Sequence, residues 1–115
     1  MRIVFYNKKN RSAVKEFIEK LQSKDKAKIL ACLKSIEELG FDCPRVQFRH
    51  IRRDLWEIKI HSANAGFRIF YVGLNQNTLV LLHVYQKQSQ KAPKKEIEIA
   101  EKRMLEVMQN AKDYA

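Results

Sequence analysis

The sequence predicts one α+β domain over residues 1–115, with an antiparallel sheet covered by helices on one face. Apolar and polar residues alternate through the centre of the chain, most clearly in LWEIKIHSANAGFRIFY at residues 55–71, which is typical of strands. Apolar residues spaced three and four apart lie before and after this region, which indicates amphipathic helices. The predicted element order is β-α-α-β-β-β-α. Short turns between consecutive strands favour an antiparallel meander.

The first half of the chain predicts one strand and two helices. Residues 3–6 form the strand, Ser12 can cap the first helix, Ser23 opens the second, and Gly40 ends it. The apolar stripes of the two helices are Val14, Phe17, Ile18 and Leu21, then Ile29, Leu33, Ile36 and Leu39. Residues 45–54 fit either an edge strand or an ordered loop, because their apolar residues are unevenly spaced.

The central hairpin organises the rest of the prediction. If residues 62–65 form a four-residue loop, His61 lies opposite Gly66 and Lys59 opposite Arg68. Two cations opposite each other on one sheet face repel. Such a pair needs an anion, and a phosphate suits it because Arg donates two parallel hydrogen bonds and Lys supplies a point charge.

Residues 78–87 predict a nearly continuous apolar strand, and Pro93 suits the first turn of a last helix. We expect His83, Tyr85 and Lys87 on one face of that strand, and Val80, Leu82 and Val84 on the other. A register with Val72 opposite Leu79 would place His83 opposite Arg68. A slip by one residue would move Arg68 to the other face.

The chain is strongly basic, with a net charge of +10 and a pI of about 9.8. Residues 45–95 carry ten Lys or Arg against two acids, a net of +8. This favours a nucleic acid or another anionic partner, although a basic protein without an anionic ligand stays an alternative.

The two cysteines, Cys32 and Cys43, form no CxxC motif and have no matching pair of histidines. We expect neither a metal site nor a disulfide, and no cofactor. The apolar run at the start is too short for a signal peptide, and no stretch has the length of a membrane span. These features predict a cytoplasmic protein.

Cleavage of RNA without a metal requires a base for the 2′-hydroxyl, an acid for the leaving 5′-oxygen, and cations for the phosphorane. Side chains that offer these roles lie in and after the central strands. The catalytic candidates are Lys59, His61, Arg68, His83, Tyr85 and Lys87. The candidates for holding RNA are Arg49, Arg52, Arg53, Lys91 and Lys94, with Arg45 also within reach of phosphates.

Each candidate also has a structural interpretation. His83 can be a core histidine with its hydrogen bonds satisfied, Tyr85 can pack at a rim, and Lys59 can be an ordinary strand lysine. Arg68 lies in an aromatic-rich strand, where an unpaired charge is costly. It needs either a ligand, the interpretation we favour, or Glu57 as a structural partner.

Two segments carry a resemblance to a known family: LWEIKIHSANAGFRIFYV, and the run from Lys87 to Ile97 that precedes the last helix. With them the chain resembles the RelE/HigB superfamily of bacterial toxins, in particular its phage-derived, HigB-like branch. The resemblance implies a RelE-like fold and metal-independent cleavage of mRNA in the ribosomal A site. It also implies inhibition by a cognate antitoxin, expected to be a small helix-turn-helix protein.

The resemblance assigns roles to four residues. The family's Arg in its G-[FY]-R motif matches Arg68, its basic residue on the preceding strand matches Lys59, and its basic positions after the last strand match Lys87 and Lys91. Some members have Arg where this chain has His61. Which residue acts as the base varies within the superfamily, so Lys59 and His61 are both candidates.

The sequence therefore predicts an mRNA-cleaving toxin that acts on the ribosome. Two alternatives remain: a toxin of the same fold that inhibits gyrase, and an RNA-binding module without enzymatic activity.

Overall fold

The computed structural model describes residues 1–63, 65–89 and 91–115. Its elements follow the predicted order, and residues 45–54 contain an edge strand. The elements are β1 (Arg2–Phe5), α1 (Ala13–Glu19), α2 (Ser23–Leu39), β2 (Gln47–Arg52), β3 (Leu55–His61), β4 (Gly66–Asn75), β5 (Thr78–Gln86) and α3 (Lys94–Gln109), with 3₁₀ turns at Gly40–Asp42 and Ala111–Asp113. The predicted α+β class is confirmed.

The five strands form one sheet in the order β1-β5-β4-β3-β2. Strands β2 to β5 make the predicted antiparallel meander. β1 differs, because it pairs parallel to β5, with Ile3 opposite Leu79 and Val4 opposite Val80. Alternate residues of β1 extend the apolar packing on both faces of the sheet, since Ile3 and Val4 contact different cores.

Helices cover both faces of the sheet, so the predicted cover on one face only is wrong. Ile69 and Tyr71 pack in a core with α1 and α2, whereas the alternating residues Phe70 and Val72 pack with α3. The physical reason is that β4 is apolar on both faces, and each apolar face requires cover. From α3, Ala100, Met104 and Val107 are buried in this second core.

The register between β4 and β5 differs from the predicted one, and it is irregular at two places. The adjacent residues Phe70 and Tyr71 pair with His83 and Leu81, so Leu82 is an extra residue in β5, a β-bulge. On the turn side of this bulge, Asn75 lies opposite Thr78, and a second extra residue, Leu74 in β4, places Val72 opposite Val80, not Leu79. Beyond the bulge, His83 lies opposite Phe70 instead of Arg68.

The bulge also separates residues that were predicted to share a face. Val80 and Leu82 pack with α3, whereas Val84 packs with α1 and α2. Arg68 lies opposite Tyr85.

Local sequence signals set the helix ends. The Ser12 hydroxyl accepts a hydrogen bond from the Lys15 amide at 3.2 Å, as a capping residue does. Gly40 ends α2 with φ +64° and ψ −140°, a conformation that residues with a Cβ rarely adopt. Within the described residues, no helix has the length and apolar composition needed to cross a membrane.

Replacing Gly40 with alanine should lower the free energy of unfolding by about 1–2 kcal/mol, because the added Cβ makes this backbone conformation strained. The new methyl group itself has room, since its nearest neighbour would be Met1 Cε at 3.9 Å. Urea denaturation measures the loss. Unchanged stability would show that the end of α2 relaxes to a conformation open to all residues.

Candidate functional site

On the α3 side of the sheet, polar side chains cluster in the region where β3, β4 and β5 approach the loop between β3 and β4. Residues that lie opposite each other on neighbouring strands form rows across this region. We call it the cationic face, and its polar members are Arg49, Glu57, Lys59, His61, Arg68, Tyr85 and Lys87.

The central row of the cationic face is Lys59–Arg68–Tyr85. Lys59 lies opposite Arg68 across β3 and β4, as the length of the loop predicted, and Arg68 lies opposite Tyr85 across β4 and β5. Lys59 is half-buried, and the other two side chains are buried. The row places an ammonium, a guanidinium and a phenol side by side on one surface.

The next row places a carboxylate among these cations. Glu57 lies opposite Arg49 on β2 and Phe70 on β4, and its side chain is fully buried. Arg49 Nη2 lies 3.1 Å and Arg68 Nε 3.9 Å from Glu57 Oε1. Neither carboxylate oxygen accepts a hydrogen bond from the described residues, since the Arg49 guanidinium is close but not aligned to donate. The two guanidiniums therefore interact with the Glu57 carboxylate through charge and not through hydrogen bonds.

Arg68 is held at the centre of the cationic face with 5% of its surface exposed. Its Nη1 donates a hydrogen bond to the Phe67 carbonyl oxygen at 3.1 Å. The neighbouring Gly66 leaves space beside the guanidinium, since a Cβ there would lie 3.5 Å from Arg68 Nη1 and 3.6 Å from Lys87 Cβ. Because Gly66 has no side chain, a space that a methyl group would fill is left between Arg68 and Lys87, and we call this space the cleft.

Tyr85 borders the guanidinium on the β5 side. Its ring stacks on Phe70 with 5.7 Å between the ring centroids. Burial, reinforced by the nearby Glu57 carboxylate, raises the pKa of Tyr85 to about 12. Tyr85 is thus a neutral phenol at physiological pH, able to donate a hydrogen bond but not to act as a base.

His83 lies at the edge of the cationic face, under the first turns of α3. Its Nε2 lies 2.8 Å from Glu96 Oε1, and its Nδ1 lies 3.4 Å from Arg103 Nη1. Burial lowers the pKa of His83, and Arg103 lowers it further, although the Glu96 carboxylate opposes them. A neutral imidazole with its proton on Nε2 satisfies both contacts. Both ring nitrogens thus face α3 side chains.

His61 and Lys87 flank Gly66 at the open end of the cationic face. His61 is exposed and lies opposite Gly66, whose carbonyl oxygen accepts a hydrogen bond from the Lys87 amide at 2.8 Å. The side chains of Lys59, His61 and Lys87 form no ion pair with the carboxylates of the described residues. They are the free bases and cations nearest to the cleft beside Arg68.

The structure separates the five residues predicted to hold RNA. Arg49 and Lys91 line one cavity of about 290 Å³ at the edge of the cationic face. Arg52 is tied to α3, where its Nε donates to Glu101 Oε2 at 2.9 Å, and Arg53 shares a different cavity with it. Lys94 is 90% exposed on α3 and lies 3.8 Å from Glu98.

The sequence interpretation missed two features of the site. In the sequence, nothing except the glycine itself indicates the space at Gly66. Arg103 was not considered, although it lies on the same α3 face as Glu96 and faces His83. Glu57 was recognised as a partner for Arg68, but not as a buried group beneath two guanidiniums. A carboxylate that alternates with cations on one strand face could have suggested this arrangement.

Within the described ranges, no three of the His, Cys, Asp and Glu side chains come close enough together to hold a metal ion. A family model matches residues 16–105 of the chain, and it describes phage-derived, Gp49-like proteins (DUF891). No curated protein matches the chain.

Acidification should destabilise the fold through His83. Because burial lowers its folded pKa below 6.5, the unfolded chain binds the proton more readily. The neutral His83 therefore contributes fully to the free energy of unfolding above pH 6.5, and this contribution is lost as the pH falls through the folded pKa of His83. His83→Gln should therefore reduce the difference in unfolding free energy between pH 7.5 and pH 5, measured in urea.

The matched control is His61→Gln, which changes an exposed histidine on the same face. It should keep the pH difference of the wild-type chain. An equal pH difference in His83→Gln and wild type would mean that the pKa of His83 does not change on folding, and a larger difference in the variant would mean that folding raises it.

Proposed function

This chain belongs to the Gp49-like family of phage-derived proteins, a RelE/HigB-like toxin family, and we propose from this premise that it cleaves mRNA as a metal-independent endoribonuclease acting on the ribosome. A toxin of this family implies a cognate antitoxin. We expect the antitoxin to be a helix-turn-helix protein that covers the cationic face.

One observation carries the proposal: the row Lys59–Arg68–Tyr85, with the space left by Gly66 beside the Arg68 guanidinium. A phosphate in that cleft would meet the guanidinium of Arg68 and the ammonium group of Lys87, with the amine of Lys59 beside it. These groups suit the charge that develops when a 2′-oxygen attacks phosphorus. The row thus supplies fixed positive charge where the reaction needs it.

The proposed reaction has two proton transfers. The 2′-hydroxyl loses its proton to Lys59, in its neutral form, or to His61, and the 2′-oxygen then forms a bond to phosphorus. The bond from phosphorus to the 5′-oxygen breaks, and that oxygen takes a proton from Tyr85 or Lys87. The products are a 2′,3′-cyclic phosphate and a free 5′-hydroxyl. His83 has a positioning role here, because both of its ring nitrogens already have partners.

Glu57 makes this concentration of cations tolerable when no substrate is bound. Its buried carboxylate lies close to both Arg49 and Arg68 and offsets their mutual repulsion. Arg49 is exposed and lines a cavity with Lys91. We infer that the mRNA backbone passes over these two residues on its way to Arg68.

A second candidate function is favoured by the same ion pair. Arg68 is almost fully buried against Glu57, as expected of an arginine with a purely structural role. The cationic face would then bind RNA without cleaving it. Substitution of Arg68 distinguishes the two functions.

Arg68→Ala should slow cleavage of ribosome-bound mRNA by about a hundred- to a thousandfold, the usual effect of removing one preorganised donor. It should also lower the free energy of unfolding by about 1–3 kcal/mol, because Glu57 loses one of its two cationic neighbours. Single-turnover cleavage and urea denaturation measure the two effects separately. Arg68→Lys, which keeps the charge but not the paired donors, should cleave at an intermediate rate.

Two further variants separate catalysis from stability. Arg68→Ala/Glu57→Gln removes the buried charge together with its partner, so it should regain stability but not cleavage. Glu57→Gln alone keeps the guanidinium and should retain most of the cleavage rate. Cleavage by a stable double variant at the wild-type rate would remove Arg68 from the reaction and favour the RNA-binding function.

Gly66→Ala should reduce cleavage by about tenfold to a hundredfold, because a methyl group would enter the cleft beside Arg68 and shift the phosphate. The fold should tolerate it, since the nearest contacts of the new Cβ would be ordinary ones at 3.5 and 3.6 Å. Gly73→Ala is a matched control on the same strand, with its nearest atom at 4.0 Å. Equal cleavage by both variants would place the phosphate elsewhere.

A further inference from the structure

Another cavity lies away from the cationic face, between α3 and the turn that joins β1 to α1. It has a volume of about 610 Å³. Five cations line it against two carboxylates, Glu16 and Glu106, a net charge of +3. We call it the basic cavity, and its cations are Lys8, Lys9, Arg11, Lys102 and Arg103.

Three of these cations are available to a ligand. Lys8 lies 3.7 Å from Glu106, and Arg11 lies 2.7 Å from Glu16, so both are paired. The exposed Lys9 and Lys102, and the half-buried Arg103, pair with no carboxylate among the described residues. The free positive charge of the cavity is therefore concentrated on these three side chains.

Arg103 is fixed in place by the fold. Its Nη1 donates a hydrogen bond to the Leu82 carbonyl oxygen at 2.9 Å, and its Cζ lies 5.2 Å from the centre of the Tyr6 ring. A cation over an aromatic face is attracted by it. Arg103 thus gives the cavity a preorganised positive charge.

The turn that carries Lys9 has an unusual backbone conformation. Lys9 and Asn10 both have positive φ, at 53° and 63°, which is uncommon for residues other than glycine. The turn is closed by Lys8 and Arg11, which exchange two backbone hydrogen bonds of 2.9 and 3.0 Å. Conformations of this kind are enriched at binding sites. Here the turn holds Lys9 at its tip, at the margin of the cavity.

The chemistry of the cavity selects among anionic ligands. The single aromatic residue among its described lining residues is Tyr6, which is 5% exposed and covered by Arg103. Single-stranded nucleic acids are usually held by exposed aromatic rings on which bases stack, and duplex RNA by contacts to phosphates and 2′-hydroxyls. The cavity has cations without a stacking surface, so it suits the backbone of an RNA helix.

We propose that the basic cavity binds phosphates of double-stranded RNA, as a second contact surface beside the cationic face. This inference rests on the proposed action on RNA and deepens it. Lys9, Lys102 and Arg103 would contact the backbone of a structured RNA without reading its sequence, and would anchor the chain while mRNA enters the cationic face.

The test compares two pairs of substitutions with the same loss of charge. Lys9→Gln/Lys102→Gln removes two cations from the cavity, and Lys24→Gln/Lys34→Gln removes two exposed lysines from α2. The probe is a fluorescent RNA duplex of about 16 base pairs, the length that one small duplex-binding domain spans. Anisotropy gives the affinity of each full-length chain between 50 and 200 mM salt.

The cavity pair should bind the duplex more than tenfold more weakly than wild type at 100 mM salt. Its slope of log affinity against log salt should be smaller by about 1.4 to 1.8, corresponding to two lost phosphate contacts. The α2 pair should stay close to wild type, since its charges lie on the other side of the sheet and are screened.

Three results would overturn the inference. Equal losses in both pairs would mean that only net charge matters, and a wild-type chain that does not bind the duplex would exclude the site. An unchanged duplex affinity with weaker binding of the antitoxin would make the cavity a protein interface. Cleavage of ribosome-bound mRNA by the wild-type chain reports on the proposed function separately, so the failure of one idea is distinguishable from the failure of the other.

Discussion

The buried carboxylate of Glu57 is the constraint on which the arrangement of the cationic face depends. Arg49, Lys59 and Arg68 lie on neighbouring positions of three strands, where like charges repel. Glu57 lies among them, fully buried, with guanidinium nitrogens at 3.1 and 3.9 Å. Burying a carboxylate is costly unless cations compensate it, and crowding cations is costly unless an anion compensates them. Each charge therefore makes the burial of the other tolerable.

The register of the central hairpin was predictable because the length of one loop fixes it. Four residues between β3 and β4 place Lys59 opposite Arg68, and the structure has this pair. The partner of Arg68 on β5 was not predictable in the same way. Two irregularities lie between the turn after β4 and this pair: the extra Leu74 in β4 and the extra Leu82 in β5 shift the register in opposite directions, so Arg68–Tyr85 returns to the register of Asn75–Thr78. A continuous apolar strand shows no break in its pattern where such a residue is inserted.

The position of α3 was the other feature that the sequence left open. The apolar stripe of α3 indicates that one helix face is buried, but not which face of the sheet it covers. The packing of α3 against Phe70 and Val72 puts this helix on the same side of the sheet as the cationic face. It also brings Glu96 and Arg103 to His83. The sequence left two interpretations of His83 open, a catalytic one and a structural one. The structural one depends on partners from α3, and the sequence does not tell which face of the sheet α3 covers.

Arg68 is held in a way that suits the proposed reaction. A guanidinium carries five N–H donors, and a paired hydrogen-bonded contact with Glu57 would occupy two of them. The distance of 3.9 Å from Arg68 Nε to Glu57 Oε1 is instead too long for a hydrogen bond. One donor contacts the Phe67 carbonyl oxygen. Glu57 thus compensates the charge of Arg68 without accepting a hydrogen bond from it, so the donors that do not contact Phe67 stay available to a phosphorane. Such preorganisation avoids breaking a protein ion pair during the chemical step.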